Sequence, residues 1–272
     1  MDKKPLVSII IATYNRGKSI NKAIESVLNQ TYKDIEIIVI DDGSTDETPK
    51  IVSEISKTDS RIRIVTNKIN LGLVKTLNRG ISNAHGKYIA RLDDDDFWCN
   101  PQKLEKQVAF LENNPDYVLV GGGVIRVDEQ GKEIIRFTLP ESDEDIRQKI
   151  LQDNTFAHST VVFKKEAWEK AGGYNETLIF SEDWDLWLRF GKFGKFYNFP
   201  EYFIYYLQGE QNISNLNIRQ NLKFSIKLRK KYRKDYPGYR KAILFCWASY
   251  FYSFLPFKQK LWPIIFRIKR LI

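Results

Sequence analysis

Short apolar runs alternate with helically spaced apolar residues along the first hundred positions of the chain. The runs are rich in β-branched side chains and cover residues 7–11, 35–40, 61–65 and 87–92. Continuous apolar runs of this length predict strands that are buried on both faces, as in a parallel sheet. Between them, apolar residues that recur every three or four positions predict helices over residues 20–28, 45–55 and 72–84. Ser44 is the predicted cap of the second helix, with Glu47 completing a capping box.

The alternation of strands and helices predicts a doubly wound α/β sheet with right-handed crossovers. Ligands of such sheets bind beyond the carboxyl ends of the strands. Three polar clusters lie at those ends: residues 13–15, Asp41 with Asp42, and the four aspartates 93–96. We expect these clusters to meet in one crevice, which is the candidate ligand site.

Residues 101–205 combine both patterns, without an internal repeat. Helices are predicted over residues 101–111, 142–151 and 182–190, and strands over 117–128, 133–137 and 159–163. A boundary predicted near residue 210 divides the chain into an α/β domain, 1–210, and a helical region rich in basic and aromatic residues, 211–272. The predicted fold class is α/β, a Rossmann-like, doubly wound mixed sheet with a C-terminal helical extension.

The composition is that of a globular protein, since 43% of the 272 residues are hydrophobic and 28% are charged. The two cysteines, Cys99 and Cys246, are too few for a disulfide framework and fit a reducing compartment. No signal peptide is visible, and no apolar stretch reaches the roughly 20 residues of a transmembrane helix. The expected location is therefore the cytoplasm.

The net charge of +9 is unevenly distributed along the chain. Residues 219–272 contain 15 Lys and Arg against one acid, a charge of +14, which leaves −5 on the first 218 residues. A basic segment interleaved with aromatic residues is typical of a surface that lies on an anionic membrane, here the inner face of the plasma membrane. A helical subdomain that packs on the main domain, with a solvated basic face, explains the pattern equally well. Nucleic acid is not expected as a partner, because no nucleic-acid-binding module is recognisable.

The four aspartates 93–96 directly follow the strand predicted over residues 87–92. Carboxylates packed this closely raise one another's pKa unless a positive charge offsets them or water surrounds them. A solvated loop is the simpler explanation, but the run lies between a buried strand and the apolar pair Phe97 and Trp98. Carboxylate oxygens are the ligands that Mg²⁺ and Mn²⁺ prefer, and a D-x-D at a strand end suits a metal that also binds substrate phosphates.

Other polar residues at the strand ends are open to a structural or a functional explanation. Asp41 lies in an Asx-type turn with Gly43, and it either serves only the turn or also meets a base or sugar. The ring of Tyr14 either is a half-buried turn residue or stacks on a planar ligand. His158 is expected to be structural, and no histidine cluster suggests a zinc site.

Acidic residues also begin the helix predicted over residues 182–190, for which Ser181 is the predicted cap. Glu182 and Asp183 in the first turn are explained by the helix dipole, which favours anions there. The alternative role for Asp183 is that of a general base. The dipole would lower its pKa, whereas burial beside Trp184 or nearby phosphates would raise it, and the sequence leaves this balance open.

In combination, these segments resemble the family 2 glycosyltransferases. The resemblance covers residues 5–205 and rests on VSIIIATYN (7–15), SVLNQTY (26–32), EIIVIDDGSTD (36–46), NLG (70–72), GKYIARLDDDD (86–96), GGY (172–174) and EDWDLWLR (182–189). The motifs follow the family's order, and their combination is far more specific than any one of them. The resemblance implies a GT-A fold and an inverting enzyme that moves a sugar from a nucleotide-sugar donor, with UDP favoured, to a glycan or lipid-linked acceptor in polysaccharide synthesis.

The family pattern also implies roles for individual residues. These are a nucleoside pocket (Ala12, Tyr14), a contact to a uracil-type base (Asp41), contacts to the ribose and the nucleotide sugar (Asp93, Asp94), a Mn²⁺ or Mg²⁺ ligand (Asp95) and the general base (Asp183). Some members carry an arginine that contacts the nucleotide in the segment equivalent to residues 71–73, where this chain has none. Asp94 and Asp96 form a second D-x-D, so the register of the metal motif stays open.

The main alternative is a nucleotidyltransferase, which also binds metal and nucleotide through acids at strand ends. It would be expected to carry a Gly- and Arg/Lys-rich phosphate loop after the first strand, where this chain has ATYNRG at 12–17. The other alternative is a non-catalytic protein that binds sugar nucleotides, in which an Asp183→Asn variant would behave like the parent protein.

Overall fold

A computed structural model of the chain describes residues 6–208 and 218–254. The domain boundary predicted near residue 210 lies outside the described residues and stays a prediction. The last part of the predicted basic and aromatic region, 255–272, also lies outside them.

The described chain alternates strands and helices up to its fourth strand and combines both in a less regular order after it. The strands are β1 Val7–Thr13, β2 Ile35–Asp41, β3 Ile62–Thr66, β4 Tyr88–Arg91, β5 Phe97–Trp98, β6 Tyr117–Val127, β7 Glu133–Phe137, β8 Val162–Lys164 and β9 Lys195–Leu207. The helices are α1 Ile20–Leu28, α2 Thr48–Ser56, α3 Leu73–Ser82, α4 Lys103–Asn113, α5 Asp143–Lys149, α6 Lys165–Ala171, α7 Glu182–Phe190, α8 Ile218–Lys231 and α9 Tyr239–Tyr252, with a short 3-10 helix at His158–Thr160.

All nine strands belong to one mixed sheet, which confirms the predicted architecture. The order is β3-β2-β1-β4-β8-β6-β9-β5, and β7 pairs with β6 outside this path. Strands β1 to β4 are parallel, whereas β8 runs antiparallel to β4. The four parallel strands therefore bring their carboxyl ends to one edge, and the loops that follow them form the candidate site.

Helices cover both faces of the sheet, because successive strand residues point to opposite sides. Ile10 of β1 is fully buried against α3 and α7, whereas its neighbour Ile9 is fully buried on the side of α1, α2 and α4. Burial on both faces explains why β1 and β2 consist of continuous apolar runs.

The predicted start of α2 was wrong. Ser44 does not cap the helix: its Oγ accepts a hydrogen bond from the backbone N–H of Asn15, at 2.9 Å. The Asn15 side chain in turn accepts from the N–H of Thr45, at 2.8 Å, and α2 begins only at Thr48. Residues 44–47 therefore form a loop that is tied to the loop after β1, a pairing across 29 positions that local sequence does not reveal.

The strand predicted over residues 159–163 and the cap predicted at Ser181 were also wrong in detail. Ser159 lies in the 3-10 helix, and the strand β8 begins at Val162. Ser181 adopts a left-handed conformation, with φ 59°, and its hydroxyl donates to the Asn221 side chain instead of capping α7. A left-handed residue other than Gly is uncommon and marks a place where surrounding contacts impose the backbone.

Helix α8 packs directly on α7, as the subdomain interpretation of the C-terminal region predicted. The rings of Phe224 and Phe180 lie 5.9 Å apart. The hydroxyl of Tyr236 donates to the carbonyl of Leu188, at 2.8 Å, and the Tyr232 hydroxyl donates to buried Asp185, at 2.9 Å. Within the described residues, no helix is both long and apolar enough to cross a membrane.

Candidate functional site

Two loops at the carboxyl edge of the sheet are locked together beside the acidic run. Asn15 follows β1 in a left-handed conformation, with φ 53°, and binds the loop after β2 through Ser44 and Thr45. The next residue, Arg16, donates its backbone N–H to the hydroxyl of Thr48, at 2.8 Å. The Arg16 side chain lies beside Asp94 and Asp95. Asp42 donates its backbone N–H to the carbonyl of Thr13, at 2.8 Å, so the three polar clusters lie next to one another, as predicted.

A buried cation lies beneath the acidic run. The side chain of Arg91 is 1% exposed and lies 2.5 Å from the carboxylate of Asp93. Its guanidinium also donates to the carbonyls of Ile10 and Leu92. Burial opposes ionisation of Asp93, but the positive charge of Arg91 and the hydrogen bond from Ser159 outweigh it, so the pKa of Asp93 is lowered. Asp93 is therefore an anion that the protein itself neutralises.

The last aspartate of the run, Asp96, points into the protein. It is 2% exposed, and one of its carboxyl oxygens lies 2.5 Å from the Ser159 hydroxyl, within hydrogen-bond distance. Burial and the neighbouring charge of Asp93 raise the pKa of Asp96 well above its usual range. The second D-x-D, made of Asp94 and Asp96, therefore has one member inside the protein and out of reach of a ligand in the crevice.

The two central aspartates face the crevice and the side chain of Arg16. The guanidinium lies 3.6 Å from an oxygen of Asp94 and 3.6 Å from an oxygen of Asp95. Burial and the charge of Asp95 nevertheless raise the pKa of Asp94 to about 7, and burial and the charge of Asp93 raise that of Asp95. Burial and the neighbouring carboxylates thus disfavour the charged forms of Asp94 and Asp95 more than Arg16 stabilises them.

The two crevice aspartates fit a hard divalent cation. Within the part of the chain that the structure describes, no three His, Cys, Asp or Glu side chains are already assembled as a metal site. Mg²⁺ that serves a phosphate substrate is commonly held by only one or two carboxylates, with the phosphates completing the shell. Asp94 and Asp95 offer such carboxylate oxygens, and their raised pKa values show that a further positive charge would be favourable there.

Asp183 lies in the first turn of α7 at the same crevice. One of its oxygens accepts from the backbone N–H of Trp184, at 2.6 Å, and the other accepts from the Asn154 amide, at 2.7 Å. Burial outweighs these hydrogen bonds and, together with the nearby charge of Asp93, raises the pKa of Asp183 to about 6. The balance that the sequence left open between dipole and burial is thus decided by burial.

The candidate nucleoside residues lie at the ends of β1 and β2. Ala12 is buried, and the ring of Tyr14 is 44% exposed beside it. Asp41 is buried and accepts from the backbone N–H of Ser44, at 3.0 Å, so it closes the predicted turn itself. Its neighbour Asp42 binds the N–H groups of residues 71–72 and so fixes the loop before α3.

Several residues of the site were not singled out by their sequence pattern. Arg91 and Arg16 supply the positive charge beside the acids, Ser159 bridges Asp93 and Asp96, and Asn154 binds Asp183. Arg91 had one visible signal, since a charged residue inside a buried apolar strand requires a partner. Arg16 and Asn154 lie in loops and Ser159 lies in the short 3-10 helix, and the positions of all three depend on the tertiary fold.

His158 is part of the packing beneath the site, as its structural interpretation predicted. Its Nε2 lies 2.7 Å from the hydroxyl of buried Tyr174, and its ring packs edge-on against Trp187. Burial and the charge of Arg91 lower the pKa of His158 to about 3. His158 is therefore neutral at physiological pH and connects the loop after α6 to the acidic cluster.

Comparison of the sequence with known proteins gives consistent matches. The model of the family described as Glycosyl transferase family 2 matches residues 8–172. An uncharacterized glycosyltransferase of Haemophilus influenzae is 36% identical over 231 residues, which cover 81% of this chain and 71% of that protein. The amylovoran biosynthesis glycosyltransferase AmsE of Erwinia amylovora is 38% identical over 186 residues, which cover 68% of this chain and 69% of that protein.

Comparison of the fold gives matches of the same kind. The crystal structure of TarS 1-349 from S. aureus in complex with UDP-GlcNAc superposes with a TM-score of 0.65 at 18% identity, covering 91% of this chain and 73% of that chain. The mannosyltransferase PcManGT from Pyrobaculum calidifontis, in complex with GDP-Man and Mn²⁺, gives a TM-score of 0.64 at 21% identity, covering 91% of this chain and 70% of that chain. At these identities the likeness concerns the fold.

Proposed function

The chain belongs to glycosyl transferase family 2 and has the GT-A fold, and from that premise we propose that it is a metal-dependent, inverting glycosyltransferase. One observation carries the proposal. Two carboxylates after β4, Asp94 and Asp95, lie together beside Arg16, and Asp183, a carboxylate whose pKa is raised to about 6, lies near enough to the same acidic run to interact with its charge. Asp94 and Asp95 suit a metal ion that binds a diphosphate, and Asp183 suits a general base.

The acids after β4 would bind the donor. We assign the metal, Mn²⁺ or Mg²⁺, to Asp95, with Asp94 beside it on the nucleotide sugar. A bound dication stabilises the charge that develops on the diphosphate as the bond to the sugar breaks. Asp93, oriented by Arg91 and Ser159, keeps its carboxylate ionised and is assigned to the ribose.

The nucleoside would lie over the ends of β1 and β2. The exposed ring of Tyr14 is available for stacking on the base, and Ala12 leaves room beside it. Asp41 is assigned to the polar edge of the base. We favour UDP as the nucleotide, and the S. aureus protein that shares this fold binds UDP-GlcNAc, although another protein of the fold binds GDP-Man.

Asp183 would take the proton of the acceptor hydroxyl. A carboxylate with a pKa of about 6 is largely ionised at neutral pH and is a stronger base than an ordinary aspartate. Attack from the face opposite the leaving diphosphate, in a single displacement, inverts the anomeric centre. Positioned general-base catalysis of this kind typically contributes about 10²–10⁴-fold to the rate.

The acceptor is proposed to be a glycan or lipid-linked hydroxyl in cell-surface polysaccharide synthesis. The biosynthetic role in the name of the Erwinia relative supports this assignment. We further propose that the protein lies in the cytoplasm, attached to the inner face of the plasma membrane. Supporting this, residues 218–254 contain ten Lys and Arg against one acid, and α9 exposes Leu244, Trp247 and Phe251 on one face.

The function is tested by a screen of nucleotide sugars with Mn²⁺, scored for transfer and for hydrolysis of the donor. We expect turnover of one nucleotide sugar, its loss on chelation of the metal, and a product whose anomeric configuration is inverted by NMR. Asp183→Asn should bind the donor normally and transfer about 10²–10⁴ times more slowly.

The matched control is Glu166→Gln, which removes an exposed acid from α6 and should leave transfer unchanged. Normal transfer by Asp183→Asn would remove Asp183 from the role of base. Turnover that survives complete removal of divalent metal would contradict the proposed role of Asp95.

A further inference from the structure

Arg16 occupies a position that was assigned no role in binding the donor. Its guanidinium lies between the two crevice aspartates, 3.6 Å from an oxygen of each. The side chain is 29% exposed, so it lies at the crevice surface and is accessible to a ligand.

Hydrogen bonds fix the backbone around Arg16 so that its side chain lies beside Asp94 and Asp95. Asn15 is held in a left-handed conformation, and its side chain accepts from the loop after β2. The backbone N–H groups of Arg16 and Gly17 donate to Thr48, at 2.8 Å, and to Asp46, at 3.2 Å. Asn tolerates the left-handed conformation, and hydrogen bonds on both sides of the loop therefore fix the direction in which the Arg16 side chain leaves the backbone. An ordinary surface ion pair would require none of these contacts.

Arg16 and a divalent cation would compete for the same carboxylates. A guanidinium 3.6 Å from Asp95 cannot stay in place when a metal is coordinated by that side chain, because the two positive charges repel each other. The diphosphate that arrives with the metal offers the guanidinium a new partner of the geometry it prefers.

We propose that Arg16 is a phosphate-binding residue that fills the cation position between Asp94 and Asp95 before the donor arrives. In the donor complex it gives that position to the metal and binds the diphosphate. It thereby stabilises the charge of the leaving diphosphate. The inference rests on the proposed function, since it assumes a donor with a diphosphate.

The proposal predicts that one substitution changes two binding affinities in opposite directions, and neither measurement depends on enzyme activity. Arg16→Gln removes the competing positive charge, so Mn²⁺ without nucleotide should bind roughly tenfold more tightly. The EPR signal of free Mn²⁺ measures this affinity. The same variant loses the phosphate contact, so Mn²⁺ with uridine diphosphate should bind roughly tenfold more weakly in calorimetry. Where the donor screen identifies another nucleotide, its diphosphate replaces uridine diphosphate.

Two further variants serve as controls. Lys18→Gln removes one positive charge from the same loop, and both affinities should stay within about twofold of the parent protein. Arg16→Lys keeps the positive charge but lacks the planar guanidinium. Its affinity for Mn²⁺ alone should stay near the parent value, and its affinity for the metal–nucleotide pair should lie between those of the parent protein and Arg16→Gln. Thermal melting establishes that each variant is folded.

The outcomes separate this inference from the proposed function. If Arg16→Gln binds Mn²⁺ alone no more tightly than the parent protein, or binds the metal–nucleotide pair equally well, the role of Arg16 is wrong. If the parent protein itself binds no nucleoside diphosphate with Mn²⁺, the proposed function fails, and the role of Arg16 fails with it.

Discussion

The guanidinium of Arg91 lies 2.5 Å from the carboxylate of Asp93, at the point where β4 leaves the sheet. This pair explains how four successive aspartates can follow a buried strand. Arg91 neutralises the run from inside the protein, and Arg16 faces it from the crevice. The negative charge that remains, on Asp94 and Asp95, is at the place where the proposed function requires a metal.

Replacement of Arg91 by methionine should destabilise the fold. Methionine fills much of the same volume, but it leaves Asp93 without its cation and the carbonyls of Ile10 and Leu92 without its hydrogen bonds. Removal of one partner of a buried ion pair typically costs about 3–5 kcal/mol, and the partial exposure of Asp93 favours the lower end. Urea denaturation followed by circular dichroism measures the change.

The control for Arg91 is Arg136→Met, which breaks an exposed ion pair with Glu133 on the hairpin strand β7. Its denaturation midpoint should match that of the parent protein. Equal midpoints for Arg91→Met and the parent protein would show that the buried pair does not hold the acidic loop.

The rate of sugar transfer should depend on pH through Asp183. A general base works when it is deprotonated, so kcat should fall as the pH drops below about 6, where Asp183 gains its proton. The Asn154 amide stabilises the charged form by donating to it, at 2.7 Å. Asn154→Ala should therefore move the acidic limb of the pH–kcat profile upward by about half to one pH unit.

Asn154→Asp extends the same test, because it places a second carboxylate beside the base. A like charge raises the pKa further, so its acidic limb should lie at higher pH than that of Asn154→Ala. A limb that stays in place in both variants would mean that another group controls the profile.

Helix α8 should contribute to stability through Asp185. This carboxylate is 1% exposed and accepts from Arg189, Lys231 and the hydroxyl of Tyr232. Tyr232→Phe removes one donor from a buried charge, which should cost about 1–3 kcal/mol in the free energy of unfolding. Tyr205→Phe on β9 is the matched control, since the Tyr205 hydroxyl makes no hydrogen bond seen among the described residues, and it should change little. A Tyr232→Phe variant as stable as this control would show that the hydrogen bond from Tyr232 to Asp185 does not stabilise the fold.

The sheet was predictable where its signal is local. Strands β1, β2 and β4 are continuous apolar runs, and a run of this kind needs no knowledge of its partner to be identified. Strand β9 has no such local signal, because Pro200 interrupts its apolar pattern and its pairing of Tyr197 with Val120 joins residues 77 positions apart. Helix α6 is too short for the apolar periodicity to stand out.

The candidate site was predictable in position but not in detail. The rule for parallel sheets placed Asp41 and the acidic run at one edge. Which aspartates face the crevice depends on Ser159 and Arg16, which lie more than 60 positions away along the chain. The direction of the pKa shift of Asp183 depends on burial, which only the packing of α7 determines.

The exposed face of α9 should bind anionic membranes. Leu244, Trp247 and Phe251 are 70%, 39% and 65% exposed, and their spacing of three and four places them on one side of the helix. Phe254, which is 52% exposed, follows just beyond the end of the helix. Basic side chains are concentrated in the preceding residues 219–241, and the guanidinium of Arg219 lies 4.0 Å from the centroid of the Phe254 ring. A basic segment beside exposed aromatic residues is typical of helices that lie in a membrane interface. The protein should therefore float with vesicles rich in phosphatidylserine, and less so at high salt, because salt screens the attraction to the lipid head groups.

Point substitutions test the face better than truncation near residue 212, which would also remove α8 and uncover α7. Trp247→Ser combined with Phe251→Ser should lower the membrane-bound fraction, with a roughly tenfold weaker partition coefficient, because both rings lose their contact with the lipid. The matched control is Ile134→Ser, which removes an apolar side chain that is 50% exposed on β7. Equal flotation of the double variant and the control would exclude α9 as the membrane contact. Equal flotation with neutral and anionic vesicles would show that the basic residues do not contribute to membrane binding.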